Sequence, residues 1–139
     1  MKKLLLFGAL VFGLNAFGQE LPDVEAEFPC QNFNYYDSTG AVIGKYELCG
    51  TRALQRWVQK NLKYPEISME MGEQGKVFLK FIVEKDGEIS NVEVIKGVSR
   101  DLDNEAKRLM RSMPRWKPAE TKGSKVRSTY SMPINFELN

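Results

Sequence analysis

The clearest pattern in the chain is a run of alternating apolar and polar positions over residues 75–84. A period of two places successive side chains on opposite faces of a strand, so the run predicts a β-strand with one buried face. The Asp86-Gly87 pair predicts a tight turn, and residues 89–96 a returning strand. Phe78 and Ile82 are expected on the other, open face, which is either a binding or dimer patch or is covered by an extra hairpin at residues 30–49. The inner face is expected to carry Val77, Leu79, Phe81, Val83, Val92 and Val94.

A helical period precedes this predicted hairpin. Residues 52–62 carry apolar side chains on one helical face, and Thr51 is a suitable N-cap. We interpret that face, formed by Leu54, Trp57 and Val58, as core packing. Tyr64 and Pro65 break the helix, and Pro65 is expected at the first position of a short second helix through Met71.

The same period returns after the hairpin. Residues 101–113 predict a helix that Ser99 or Asp101 caps and Pro114 ends. A polar loop is expected at 120–125, followed by a last strand over 126–138. Pro133 has no N–H, so this strand is expected at a sheet edge or with a bulge. Its apolar face would carry Val126, Tyr130, Met132, Ile134, Phe136 and Leu138.

The N-terminal third has three different parts. A basic start and an apolar stretch up to residue 18 predict a cleaved signal peptide, and an uncleaved anchor is the alternative. Residues 19–29 are acidic and proline-containing, which indicates an extended, flexible lead-in. Short β-prone runs around residues 37–40 predict a hairpin. The predicted domain organisation is therefore a signal peptide (1–18), the lead-in and hairpin (19–50) and one domain (51–139).

Charge and composition exclude several functions. Removing residues 1–18 takes away two lysines and no acids, which leaves 18 basic and 18 acidic side chains. A neutral chain gives no sign of nucleic-acid binding. The chain has no histidine, which removes the common nucleophile–base systems and most zinc hydrolase sites. We therefore expect no enzyme, no cofactor and no metal.

The only two cysteines, Cys30 and Cys49, flank the predicted hairpin. An exported chain folds in an oxidising compartment, so we expect a disulfide between them. A redox-active pair or a metal site is the alternative. The spacing is not that of a CxxC motif, however, and two thiolates without histidine make a poor zinc site.

Six short motifs in a fixed order resemble the C-terminal domain of TonB-type energy transducers, in particular those of Bacteroidetes-type bacteria. The resemblance covers residues 51–138. The motifs are NLKYP at 61–65, QGKV at 74–77, DG at 86–87, LDNEA at 102–106, MPRWKP at 113–118 and PINF at 133–136.

The resemblance implies an α+β fold with two helices packed on one face of a three-stranded antiparallel sheet. It also implies a module that binds a segment of an outer-membrane receptor, or of another envelope protein, by strand addition to the last strand. The residues expected at the partner are Tyr64, Pro65, Arg127, Thr129, Ser131, Pro133 and Asn135.

Two departures from the transducer pattern limit this reading. The mature chain has no spanning segment and no long proline-rich linker, and the cysteine-bounded hairpin is extra to the family's core. We therefore expect a free-standing protein of the periplasm, or a secreted one. A structural or assembly role, with dimers formed by strand exchange, is an alternative. A small enzyme or a carbohydrate-binding protein that stacks sugars on Trp57, Trp116 and the tyrosines is another.

Overall fold

The computed structural model describes residues 22–139, so the predicted signal peptide lies outside the described residues. No helix within 22–139 is long and apolar enough to cross a membrane. The elements, numbered in chain order, are β1 Gln31–Tyr36, β2 Val42–Leu48, α1 Gly50–Asn61, α2 Glu66–Glu70, β3 Gly75–Val83, β4 Ile89–Lys96, α3 Arg100–Arg111, β5 Ala119–Thr121, β6 Ser124–Val126 and β7 Ser128–Phe136.

The main sheet has three antiparallel strands in the order β4-β3-β7. β3 and β7 pair without a break from Gly75 opposite Phe136 to Val83 opposite Ser128. The β3–β4 ladder contains two irregularities, and Asn91 in β4 has a positive φ. The predicted edge position of the last strand is confirmed, and its ladder has no bulge at Pro133.

The core lies between one face of this sheet and the helices. Val77, Leu79, Phe81 and Val83 are fully buried, as the alternation predicts. The buried side chains of α1 and α3 join the same cluster, so the sequence-based fold class is confirmed. The helical contribution consists of Ala53, Leu54, Leu102, Ala106, Leu109 and Met110.

Two helix starts differ from expectation. α1 begins at Gly50 with Cys49 as its N-cap, so the expected cap at Thr51 is wrong. Cys49 ends the disulfide-bounded segment, and the Gly50 N–H donates to the Phe28 carbonyl, which satisfies one donor of the first turn. Pro65 is likewise the N-cap of α2 rather than its first residue.

Residues 119–126 form a hairpin, which corrects the expected polar loop. β5 and β6 pair across a two-residue turn at Lys122 and Gly123, both of which have positive φ. Such a turn matches the twist of two antiparallel strands. Val126 therefore belongs to β6, and the last strand begins at Ser128.

The lead-in is extended but packed against the rest of the domain, which corrects the expectation of flexibility. Val24 and Glu27 form backbone bridges with Glu120 and Lys117. Phe28 is 2% exposed. Its ring lies against Trp57 and Trp116, of which Trp116 is buried in the core and Trp57 packs against it half-buried.

The predicted hairpin and its disulfide are both present. β1 and β2 pair along their length, and Cys30 is bonded to Cys49. The hairpin packs against the outer side of α1, where Phe33 is 5% exposed and lies near Arg56 and Lys60. It does not join the main sheet.

Candidate protein-binding edge

A groove lies between α1 and the outer edge of β7. Its volume is about 260 Å³. One wall is a face of α1, and the other is the second half of β7 with the residue after it. The α1 wall comprises Thr51, Leu54, Gln55, Val58, Gln59 and Leu62, and the β7 wall comprises Met132, Pro133, Ile134, Asn135 and Glu137.

Contacts at the two ends of the groove fix the direction of α1 along β7. Thr51 and Leu54 line a cavity that also contacts Tyr130. At the other end, the Tyr64 ring stands edge-on to Phe136 with centroids 5.6 Å apart. α1 therefore runs in the same direction as β7, and the groove follows the strand rather than crossing it.

Pro133 determines which backbone groups of β7 face the groove. It has no N–H to donate to β3, yet the ladder is unbroken opposite Phe78. This register requires no hydrogen bond from Pro133 to β3 if its backbone nitrogen and carbonyl point away from β3. Because hydrogen-bonding direction alternates along an antiparallel strand, Thr129, Ser131 and Asn135 also present their N–H and C=O groups outward. Beside the groove, Asn135 therefore presents an outward N–H, and Pro133 presents none.

The structure brings part of the predicted site to this groove. Pro133 and Asn135 line it, and the Asn135 side-chain amide donates to Glu137 Oε1 at 2.7 Å. Thr129 and Ser131 lie on the same edge closer to the start of β7. Ser131 is buried at 3% exposed, which corrects the expectation that its side chain faces a partner.

Tyr64 and Pro65 do not line the groove, although Tyr64 contacts the end of β7. The Tyr64 hydroxyl donates to the Glu73 carbonyl oxygen. Burial, followed by the charge of Glu73, raises the pKa of Tyr64. Its ring supports Phe136 at the end of β7, and Pro65 caps α2.

Arg127 lies outside the groove. It precedes β7, and its guanidinium donates to both carboxylate oxygens of Glu84 at 3.0 and 3.2 Å. This hydrogen bonding lowers the pKa of Glu84 and raises that of Arg127. Arg127 therefore closes the turn end of the sheet instead of facing a strand added beyond Pro133.

The lead-in occupies the Tyr130 end of the groove. The Ala26 N–H donates to Tyr130 Oη at 2.7 Å, and the hydroxyl donates to Glu25 Oε2 at 2.8 Å. Burial raises the pKa of Tyr130 to about 12. Thr51 and Leu54 line both the groove and a cavity that the lead-in covers next to Tyr130. The lead-in therefore covers the edge at Tyr130, and the open part of the edge runs from about Met132 onward.

A buried carboxylate fixes the C-terminal end of α1. Glu105 of α3 accepts hydrogen bonds from the Lys63 N–H at 2.7 Å and from the Arg108 guanidinium at 2.6 and 2.7 Å. Arg108 also donates to the Asn61 carbonyl at 3.1 Å. Burial alone would raise the pKa of Glu105, but these hydrogen bonds outweigh it and the pKa is lowered.

Sequence reasoning missed the α1 wall. The apolar stripe through Leu54 and Val58 predicts core packing alone, whereas both residues contact the core and also line the groove. The sequence feature that could have indicated this wall is the pair Gln55 and Gln59. These two residues are one helical turn apart and come directly after Leu54 and Val58. A polar strip beside an apolar one is what a peptide-facing helix wall requires.

The described residues contain one group with metal-ligand geometry, formed by Cys30, Glu47 and Cys49. Both sulfurs are used in the disulfide, so neither is a thiolate ligand. The candidate site therefore consists of the outer edge of β7 and the groove beside it, and includes no metal centre among the described residues.

Three antiparallel strands with helices packed on one face define an α+β domain, and a groove follows the outer edge of its last strand. The model of the family described as Gram-negative bacterial TonB protein C-terminal matches residues 60–138, which is more than half of the chain, and the chain belongs to this family. The predicted family membership is confirmed.

Two curated relatives are Protein TonB of Xanthomonas campestris pv. campestris, from strains B100 and ATCC 33913. Each is 36% identical over 80 residues, a match covering 55% of this chain and 34% of the relative. The chain thus spans about a third of the length of these relatives.

Two solved structures are also similar. The Helicobacter pylori TonB-CTD in solution has a TM-score of 0.49 at 22% identity, covering 62% of this chain and 78% of that one. The Pseudomonas aeruginosa TonB CTD has a TM-score of 0.48 at 27% identity, covering 55% and 78%.

Proposed function

We propose that this protein is an exported, non-enzymatic binding module that takes up an extended segment of an outer-membrane receptor, or of another envelope protein, as a fourth strand beside β7. The single observation that carries the proposal is that, within residues 22–139, no strand pairs with the outer edge of β7 beyond Met132, where a groove lies alongside it. Membership of the TonB C-terminal family supports the class of partner.

The chemistry of the edge suits this role. The outward C=O of Pro133 and the outward N–H and C=O of Asn135 pair with any extended chain, which supplies affinity without selectivity. Apolar side chains of Leu54, Val58 and Ile134 line the groove, so alternate side chains of the partner can be buried there. Selectivity then comes from the shape and polarity of the two walls.

The proposal extends to the whole chain. Residues 1–18 serve as a signal peptide, residues 19–50 as lead-in and hairpin, and residues 51–139 as the binding domain, acting in the periplasm or after secretion. The role lies in TonB-dependent transport. Dimerisation through the same edge is the competing use of this surface, because an unpaired strand edge accepts a second copy as readily as a partner.

The test is backbone NMR of residues 19–139, titrated with peptides from the N-terminal segments of outer-membrane receptors encoded in the same genome. We expect amide shifts at Met132–Glu137 and along α1. Asn135→Pro removes an outward donor inside the groove without removing a bond to β3. It is expected to weaken binding about tenfold, because one hydrogen bond is lost and the backbone is restricted at the contact.

Thr129→Pro is the matched comparison, since it removes an outward donor under the lead-in end of the same edge. It is expected to weaken binding less than Asn135→Pro. Both variants are first checked for an intact spectrum of β3. Peptide binding that survives unchanged in a folded Asn135→Pro variant, with shifts on the β1–β2 hairpin instead, contradicts the proposal. A concentration-dependent dimer that ignores the peptides favours the structural role.

A further inference from the structure

A second cavity lies on the far side of α1 from β7, between the helix and the disulfide-bounded hairpin. Its volume is about 300 Å³. The hairpin contributes aromatic and amide side chains, and the helix contributes two cations and an amide. The lining residues are Phe33, Asn34, Tyr36, Arg56, Gln59 and Lys60.

The cavity is cationic and contains no acid to balance its charge. Arg56 and Lys60 are one helical turn apart on α1 and both are exposed. The ion pairs recorded within residues 22–139 join Arg108 to Glu105, Arg115 to Asp86 and Arg127 to Glu84, so they leave Arg56 and Lys60 unpaired.

Aromatic rings border these cations. Phe33 is buried at the back of the cavity, while Tyr36 is 56% exposed at its rim and shares a hydrogen bond with Asn34. Low-dielectric rings beside a cation strengthen its attraction for an anionic group that displaces water. Asn34 and Gln59 offer amide donors to the same group. The donor set therefore fits a carboxylate.

The cavity and the groove are neighbours. Gln59 lines both of them, at the end of α1 that lies near Phe136. A helix is about 10 Å wide, and an extended chain advances about 3.3 Å per residue. About three residues of a peptide leaving the groove are therefore enough to cross α1 and reach Arg56 and Lys60.

We propose that this cavity binds an acidic side chain that flanks the paired segment of the partner. The proposal rests on the proposed function, because it assumes that the partner lies in the groove. It gives the hairpin a role as the outer wall of a second subsite. The disulfide holds that wall in place, since Cys49 is also the N-cap of α1 and ties the hairpin base to the start of the helix.

The test uses two synthetic peptides with one shared eight-residue extended core, taken from a receptor N-terminal segment. One peptide carries three Glu at each end, and the other carries three Gln. Both are expected to shift the amides of Met132–Glu137. The acidic peptide alone is expected to shift Arg56, Lys60 and Tyr36, and to bind about fivefold more tightly at low salt, as two exposed ion pairs provide.

The double variant Arg56→Gln/Lys60→Gln is expected to bind both peptides equally and to leave the Gln peptide's affinity unchanged. Lys85→Gln/Lys125→Gln is the control, because it removes the same net charge from exposed positions away from α1. It should keep the preference for the acidic peptide. The preference should also fall as salt is raised, since these charges are exposed.

Equal binding of the two peptides, with β7 shifts from both, overturns this inference and leaves the proposed function in place. Equal loss of preference in the two double variants also overturns it, because the effect is then one of net charge. If neither peptide shifts β7, the proposed function fails and this inference fails with it.

Discussion

Among single residues, Tyr130 links the sheet, the lead-in and the solvent. Its ring is 1% exposed and stacks near Phe81 with centroids 6.1 Å apart. Its hydroxyl is the only part that needs polar partners, and Ala26 and Glu25 provide them. A buried phenol that donates to a carboxylate resists ionisation, which makes the packing of the lead-in sensitive to alkaline pH.

The raised pKa of Tyr130 predicts the direction of that sensitivity. The unfolded chain loses this proton near pH 10, whereas the folded protein keeps it to about pH 12. Above pH 10 the unfolded state therefore binds fewer protons, and the free energy of unfolding falls as pH rises. The expected loss is about 2 kcal/mol between pH 9.5 and 12, relative to Tyr130→Phe.

Urea unfolding of the wild type and of Tyr130→Phe across this range measures the difference. The variant contains the same lysines, so subtracting its free energy of unfolding at each pH removes the contribution of their titration. Parallel curves for the two proteins would show that Tyr130 ionises as freely in the folded state as in the unfolded one.

Gly87 shows what residue patterns reveal and what they hide. Its positive φ of 89° in the β3–β4 turn follows from the Asp-Gly pair in the sequence. Gly87 is also required because a Cβ there would lie 1.9 Å from the Trp116 carbonyl oxygen. This second constraint does not follow from the sequence. Turn chemistry is local and can be predicted, whereas the approach of residue 116 depends on where the chain returns after α3.

At the scale of elements, the sequence predicted the strands and helices that have a strong period. β3 shows strict alternation and is bounded as expected, and Pro133 marked β7 as an edge. β5 and β6 were missed because three-residue strands are too short to show a period. The Lys122-Gly123 turn was the only local sign of them, and lysine at positive φ is uncommon.

The β1–β2 hairpin is the element that depends most on a single covalent bond. A two-stranded hairpin is marginal by itself in water, and this one has Tyr35, Tyr36, Val42 and Ile43 exposed near its tip. Cys30→Ser/Cys49→Ser is therefore expected to lower the free energy of opening the hairpin by about 3 kcal/mol. The core of the main sheet should remain folded.

Hydrogen exchange resolves these two regions. Amides of β1 and β2 should lose protection in the double serine variant and in the reduced wild type, while Leu79 and Phe81 stay protected. Unchanged protection in β1 and β2 would mean that packing of Phe33 against α1 holds the hairpin without the bond.

At the scale of the whole molecule, the lead-in completes the core. Phe28 places its ring between Trp57 and Trp116, which come from α1 and from the segment after α3. This packing could not be predicted from the sequence, because residues 23–28 form only a short segment between Pro22 and Pro29. Only the assembled helices create the apolar gap that this phenylalanine fills.

Phe28→Ala is expected to lower the free energy of unfolding by about 3 to 5 kcal/mol, because it leaves a cavity beside two large rings. Val24→Ala in the same segment is the matched control. Val24 is 46% exposed, and its removal should cost less than about 0.5 kcal/mol. Chemical denaturation of both variants measures the contrast, and similar midpoints would mean that the lead-in does not contribute to the folded core.

The bond between Cys30 and Cys49 also has a mechanical consequence. Tension applied through the lead-in passes from Phe28 to Cys30, across the sulfur bridge and directly into Cys49 at the start of α1. The hairpin between the cysteines lies outside this load path. Pulling on the lead-in therefore does not extend the hairpin or lengthen the chain between the lead-in and α1. Along the covalent path, the helix that forms one wall of the groove is therefore loaded before any strand of the main sheet.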